Sequence, residues 1–298
     1  MMASNGKILR PPFAWFGGKH WLAKRIHRYM PLHQRYVDLF AGSASILFAK
    51  PRCPIEVIND LDSGVVNFYR VLRNPEKFPE LQKLLSITLY SREEFHHCSK
   101  HWENYSDDIQ RAWAWYISVR QARNGIYGES WSRDTKDRGK GMSMNVSRWL
   151  SSVASFPKIH ERLQGVQIEK QDFRKILTRF DSAHTWFYAD PPYVQSTRSK
   201  TRYHEDMTDG DHLDLVDLLL NLKGMCLLSG YKTSIYEPLE MNGWKREKIE
   251  TVCFSVHIAR HKSGEVGTKK PARTEYLWMS PNLQKALEEK WLNMDKAA

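Results

Sequence analysis

Four short segments of the 298-residue chain carry residue types suited to chemistry. Ala189-Asp190-Pro191-Pro192-Tyr193 follows the apolar run 185–188. Two consecutive prolines fix the backbone and remove two N–H donors, so a carboxylate and an aromatic ring are held rigidly at a strand end. Open α/β sheets bind their ligands at that end. Trp15-Phe16-Gly17-Gly18-Lys19 offers close backbone approach and a cation near a helix start, which suits an anionic group. It is not a Walker loop: Phe13 stands where the first glycine is required and His20 where Ser or Thr is. Asp38-Leu39-Phe40-Ala41-Gly42-Ser43 runs from a strand into a glycine turn without GxGxxG, so it suits a cofactor bound other than by phosphates. Asn59-Asp60 ends a second strand about 20 residues later, where an acid binds the ribose hydroxyl pair in Rossmann-type sites. Taken singly, each segment also fits an ordinary turn or, for Asp60, a helix N-cap. Together they fall in order at one edge of one sheet, and that is what coincidence does not readily produce.

The elements that position them follow from periodicity. Residues 36–41, 55–59, 166–173, 185–189 and 225–229 read as strands. Residues 22–30, 43–50, 62–72, 174–180, 211–222 and 234–241 read as helices, the first ended by Pro31. Alternating strands and helices imply a parallel sheet covered on both faces. The last strands, about 247–258 and 275–280, have no helix between them and imply an antiparallel hairpin. Residues 73–165 interrupt the alternation: they are helical and polar-aromatic, with Ile109, Trp113, Tyr116 and Ile117 on one helix face and a loop over 124–148. The expected organisation is therefore a discontinuous α/β domain, 1–72 and 166–281, an insertion at 73–165, and a short exposed helical tail at 282–298.

Lys and Arg number 45 against 34 Asp and Glu, a net charge of +11, which favours a polyanionic partner. No uncharged apolar run reaches the ~18–20 residues of a membrane span, and no apolar signal region opens the chain. The four cysteines show no CxxC spacing, so a reducing, cytoplasmic compartment and no metal are expected. Three loops concentrate positive charge: Arg198, Lys200 and Arg202; Arg133, Lys136, Arg138 and Lys140, offset by Asp134 and Asp137; and Arg260, Lys262, Lys269, Lys270 and Arg273.

The ordered set Trp15-Phe-Gly-Gly-Lys19, Asp38-Leu-Phe-Ala-Gly42, Asn59-Asp60, Gln171-Asp172-Phe173 and Asp190-Pro-Pro-Tyr193 resembles the Dam-type DNA adenine-N6 methyltransferases, which use S-adenosylmethionine. Tyr203-His-Glu-Asp-Met-Thr, His212, Leu228-Ser-Gly-Tyr231 and Thr274-Glu-Tyr-Leu-Trp-Met-Ser280 extend the match. The insertion matches the family's target-recognition region loosely, anchored at Arg123-Asn124-Gly125.

The resemblance implies a Rossmann-like methyltransferase fold with an inserted, mostly helical target-recognition region. It implies methylation of a flipped-out adenine in double-stranded DNA. In it, Asp190 and the Pro191 carbonyl would accept from the amino group, Pro192 would complete the motif, and Tyr193 would stack on the base. Trp15, Lys19, Asp38, Phe40, Gly42, Asp60, Asp172, Phe173 and Asp190 would contact the cofactor. Arg123, Asn124, Arg138, Lys140, Arg198, Lys200 and Arg202 would contact DNA. It also admits a cognate restriction endonuclease in a bacterial or phage-infected cell. The same motif serves amino methylation of RNA adenine or cytosine N4, and a silent DNA-binding relative would keep the fold. A small-molecule methyltransferase would need neither the charge nor the basic insertion.

Overall fold

The computed structural model describes residues 9–15, 17–125, 130–134, 141–195, 205–252 and 272–295. Short, mostly apolar runs that end before helical length become strands. β1 (Arg35–Asp38), β2 (Ile55–Asn59), β3 (Val166–Glu169), β4 (Thr185–Ala189) and β5 (Met225–Gly230) are parallel. β6 (Lys245–Val252) and β7 (Ala272–Met279) form the antiparallel hairpin. The sheet order is β3-β2-β1-β4-β5-β7-β6, so the second strand of the hairpin, not the first, lies against β5.

Register aligns the chemistry. Asp38 is opposite both Ile58 and Tyr188, so Asp60 and Asp190 lie two residues beyond it on either side, at the carboxyl edge of the sheet.

The helices are α1 (Ala23–Ile26), α2 (Ser45–Ala49), α3 (Ser63–Arg73), α4 (Phe78–Ile87), α5 (Arg92–His101) and α6 (Asp108–Arg120), followed by α7 (Met144–Ala154), α8 (Phe156–Leu163), α9 (Phe173–Phe180), α10 (Asp209–Leu220), α11 (Glu237–Met241) and α12 (Pro281–Asp295). Side-chain caps fix several starts: Asp62 accepts from the N–H groups of Gly64 and Val65, Asp172 from Arg174, and Thr208 and Asp211 form a capping box. Buried apolar side chains cover both faces of the sheet.

The inserted helices share one core with the sheet. Phe68 of α3 stacks on Tyr116 of α6 at 5.1 Å, and Phe156 of α8 packs on both. The indole of Trp115 lies so close over Gly64 that a Cβ there would meet it at 2.1 Å. Buried Glu56 on β2 adds a polar tie, bracketed by Lys50 and by Arg162 of α8.

Five sequence expectations change. The helix over 22–30 is a four-residue α1 that tightens into a 3-10 turn (His27–Tyr29) ahead of Pro31, with the Met30 N–H donating to the His27 carbonyl. The strand over 166–173 stops at Glu169, because Asp172 caps α9. Residues 144–148 belong to α7, started by Ser143, rather than to a loop. Trp113 is half-buried, donating to Thr88, and Trp115 points inward instead. The tail helix is not simply exposed: Leu283 and Leu287, one turn apart, are buried, and Lys290 donates to the Met30 carbonyl.

Candidate active site

A cleft opens at the carboxyl edge of β1, β2 and β4, enclosing about 1060 Å³ of non-atom space with its mouth included. Its described lining holds eight carboxylates against two cations, Lys19 and Arg174. An acidic cleft in a chain of net charge +11 suits a cationic ligand.

Asp38 is wholly buried. Tyr36 donates to its Oδ2 at 2.8 Å. Its Oδ1 has no partner of normal geometry among the described residues, the Phe40 N–H lying only nearby. Burial, reinforced by Asp190 and Asp60, pushes its pKa up to about 7. Asp60 accepts from the N–H of Gly42 at 2.7 Å and of Asp62 at 2.9 Å. Burial, with Asp62 adding to it, also raises Asp60 to about 7. Gly42 has φ +47°, and a Cβ there would sit 2.4 Å from the Trp15 ring, so only glycine fits. Asn59 ties the strand ends together, donating to the carbonyls of Leu39 and Gln171 and accepting from the Gln171 N–H. Phe40 and Phe173 pack 5.7 Å apart on the same wall. Asp172 lines the cleft while capping α9 and pairing with Arg174 at 2.8 Å.

Asp190 stands at the centre. Its Oδ1 accepts from Lys19 Nζ at 2.6 Å and from Ser229 Oγ at 2.8 Å. No described donor reaches its Oδ2. The helix start expected to place Lys19 before an anion is absent: the ammonium, 3% exposed, turns inward to Asp190 and to Glu275 at 3.4 Å. Burial works to lower the pKa of Lys19, but Asp190 and Glu275 overrule it and hold it well above its ordinary value. Tyr193 differs from a simple stacking platform. One face of its ring stacks on Tyr231 at 4.1 Å, while its hydroxyl accepts from Lys19 at 3.1 Å and donates to Glu275 at 3.0 Å.

The sequence reading missed Glu275 and Ser229, which lie on β7 and β5. Both were inside matched motifs; a polar residue within an otherwise apolar strand was the available signal.

A second cleft shares Trp15, Gly18, Ser43 and Ser45 with the first. Arg10, Arg120, Arg148 and several serines line it, with no acid among its described residues. The sequence reading did not single these out. Arg123 is exposed in the 3-10 turn Arg123–Gly125, three residues beyond the end of α6 and outside both described linings. The side chain of Asn124 lies outside the described residues, as do Arg138, Lys140, Arg198, Lys200, Arg202, Lys136, Arg260, Lys262, Lys269 and Lys270. Among the described residues no cluster of three or more His, Cys, Asp or Glu could hold a metal, and no helix is long and apolar enough to cross a membrane.

The family profile of the D12 class N6 adenine-specific DNA methyltransferases matches residues 15–257. The chain belongs to this family. It is an adenine-specific DNA methyltransferase. A type II methyltransferase, M1.LlaDCHI of Lactococcus lactis subsp. cremoris, is 26% identical over 80% of this chain and 87% of its own. The DNA adenine methylases of Salmonella typhi and Escherichia coli K12 are each 23% identical over 86% of this chain and 90% of theirs. The strand order and the reversed β7 give the methyltransferase its Rossmann-like sheet.

Proposed function

We propose that this methyltransferase turns an adenine out of duplex DNA and places its N6 amino group against Asp190. The observation that carries the reading is the division of labour on that carboxylate. Oδ1 is held by Lys19 and Ser229, the Pro191-Pro192 backbone is rigid, Asp190 lines the cleft, and no described donor takes Oδ2. A preorganised carboxylate accepts from the amino group and offsets the positive charge that grows on nitrogen as it attacks. The Pro191 carbonyl is the second acceptor.

The acidic cleft fits S-adenosylmethionine by charge and by its orphaned acceptor. Asp38 Oδ1 would accept from the ammonium of the methionine half, beside Trp15, and Asp60 from the ribose hydroxyls. Asp172 would accept from the adenine amino group, with Phe40 and Phe173 as the apolar wall. When bound, the cofactor supplies an electrophilic methyl group on a sulfonium. DNA backbone phosphates would lie along the second cleft, where Arg10, Arg120 and Arg148 meet no described carboxylate.

The test is methyl transfer from labelled cofactor to unmethylated duplex DNA, with nucleoside analysis of the product. N6-methyladenine is expected. Asp190→Asn keeps shape and loses charge, so single-turnover rate should fall by ~10²–10³ with little change in DNA affinity. A near-normal single-turnover rate in Asp190→Ala would falsify the assignment.

A further inference from the structure

Glu275 is a buried carboxylate that the reaction, as read above, does not use. It lies on β7, 5% exposed, 82 residues from Tyr193 in the chain. Both its oxygens accept from the Tyr193 hydroxyl, at 3.0 and 3.2 Å, and Oε1 lies 3.4 Å from Lys19 Nζ. A carboxylate buried this deeply is costly unless paired, and its partners here are the two residues that also touch each other beside Asp190.

The charges at this point add in an informative way. Lys19 and Asp190 alone, 2.6 Å apart, form a neutral pair. A nitrogen gaining positive charge draws little from a neutral pair and much from a net anion. Glu275 makes the trio net negative. We propose that Glu275 is a positioning residue that draws the Lys19 charge away from Asp190 and fixes the Tyr193 hydroxyl, so that Asp190 presents its negative charge to the target amino group. This rests on the reading of Asp190 as the amino acceptor.

Among the described residues no neighbour duplicates the role. Ser229 is a neutral donor to Asp190, with the Tyr188 hydroxyl 3.1 Å behind it. The charged groups facing Glu275 are Lys19 from the turn before α1 and Asp190 from the loop after β4, with Tyr193 the titratable neighbour. Its cross-strand partner Ile249 is apolar and buried, while Lys248 and Glu250 on either side are exposed and pair with each other. Burial, supported by Asp190 and opposed by Lys19 and Tyr193, raises the Glu275 pKa above its ordinary value. The methyl-transfer step should therefore slow as pH falls through that pKa, because protonated Glu275 returns the Lys19 charge to Asp190.

Single-turnover methylation of unmethylated duplex DNA is the experiment, across about pH 5.5–8.5, with saturating cofactor and DNA. Saturation keeps protonation of Asp38 and Asp60 in the empty cleft out of the rate. Glu275→Gln should slow the step by about 10- to 100-fold, leave cofactor affinity within about threefold, and lose the acid limb of the profile. Glu275→Asp should restore part of the rate and keep a displaced acid limb. A Glu275→Gln rate within about threefold of wild type with the acid limb intact overturns the proposal. Where Glu275→Gln does not fold, the Glu275→Asp profile decides: an unmoved acid limb overturns it. Failure of the Asp190 reading is seen separately, as an undiminished rate in Asp190→Asn.

Discussion

Cofactor affinity should rise steeply with pH in a range where few proteins change. Asp38 and Asp60 both sit at a pKa of about 7 in the free protein. Once an ammonium or hydroxyl donates to such a carboxylate, its pKa returns toward ~4. Binding of a cation therefore releases the protons held by the free acids. Each group is ~90% ionised at pH 8 and ~10% at pH 6, so each costs about tenfold in affinity over that interval. Two groups acting together cost about a hundredfold, or ~2.7 kcal/mol. Calorimetric or tryptophan-fluorescence titration of S-adenosylmethionine at intervals between those limits measures it, Trp15 lining the same cleft. Asp38→Asn and Asp60→Asn should each be weaker binders at pH 8 and should each remove about one unit of the limiting slope. An affinity flat across the interval, or a slope untouched in both variants, refutes the argument. The same groups predict the sign of a stability effect. A folded-state pKa raised above the unfolded 3.8 means the folded protein binds the extra proton. These two acids therefore destabilise the cofactor-free fold increasingly as pH rises from about 4 through 7, and Asp38→Asn should melt higher than wild type at pH 8.

Three further outcomes are expected. If about six phosphates are neutralised, log K for DNA should fall with log salt at a slope near −5, and replacing Arg10, Arg120 and Arg148 by Gln should flatten it by ~2–3 units; an unchanged slope removes the second cleft from the interface. Trp115→Ala should cost about 3–5 kcal/mol in a denaturant melt that stays a single transition, because the indole joins the insertion to α3; two separated transitions would show independent cores. Gly42→Ala should abolish measurable cofactor binding before it unfolds the protein, since its methyl would collide with Trp15 at the cleft wall; ordinary affinity would mean that the turn relaxes freely.

Much of the site was legible because strand ends are local events. Asp38 lies inside one short apolar run, Asp60 directly after a second, and Asp190 between a third and Pro191, and parallel register then brings them to one edge. What sequence could not supply is what those carboxylates touch. Lys19 reads as a cation for an anionic ligand, yet its partner is Asp190, 171 residues away. Tyr193 reads as a stacking ring, yet its hydroxyl is spoken for by residues at both ends of the chain. The decisive step is topological. Consecutive strands β6 and β7 suggest that β6 adds to β5 and leaves β7 at the outer edge, where Glu275 would be a surface acid. In the folded sheet β7 slips between them, and Glu275 becomes an interior residue. Hairpin hydrogen bonding is satisfied by either order, so local pattern does not choose between them. The reversed order moves the final strand one place toward β4, and with it a carboxylate into reach of the ammonium beside Asp190. An active site whose acid is announced by its own motif thus has its charge balance set by a strand that the motif does not mention.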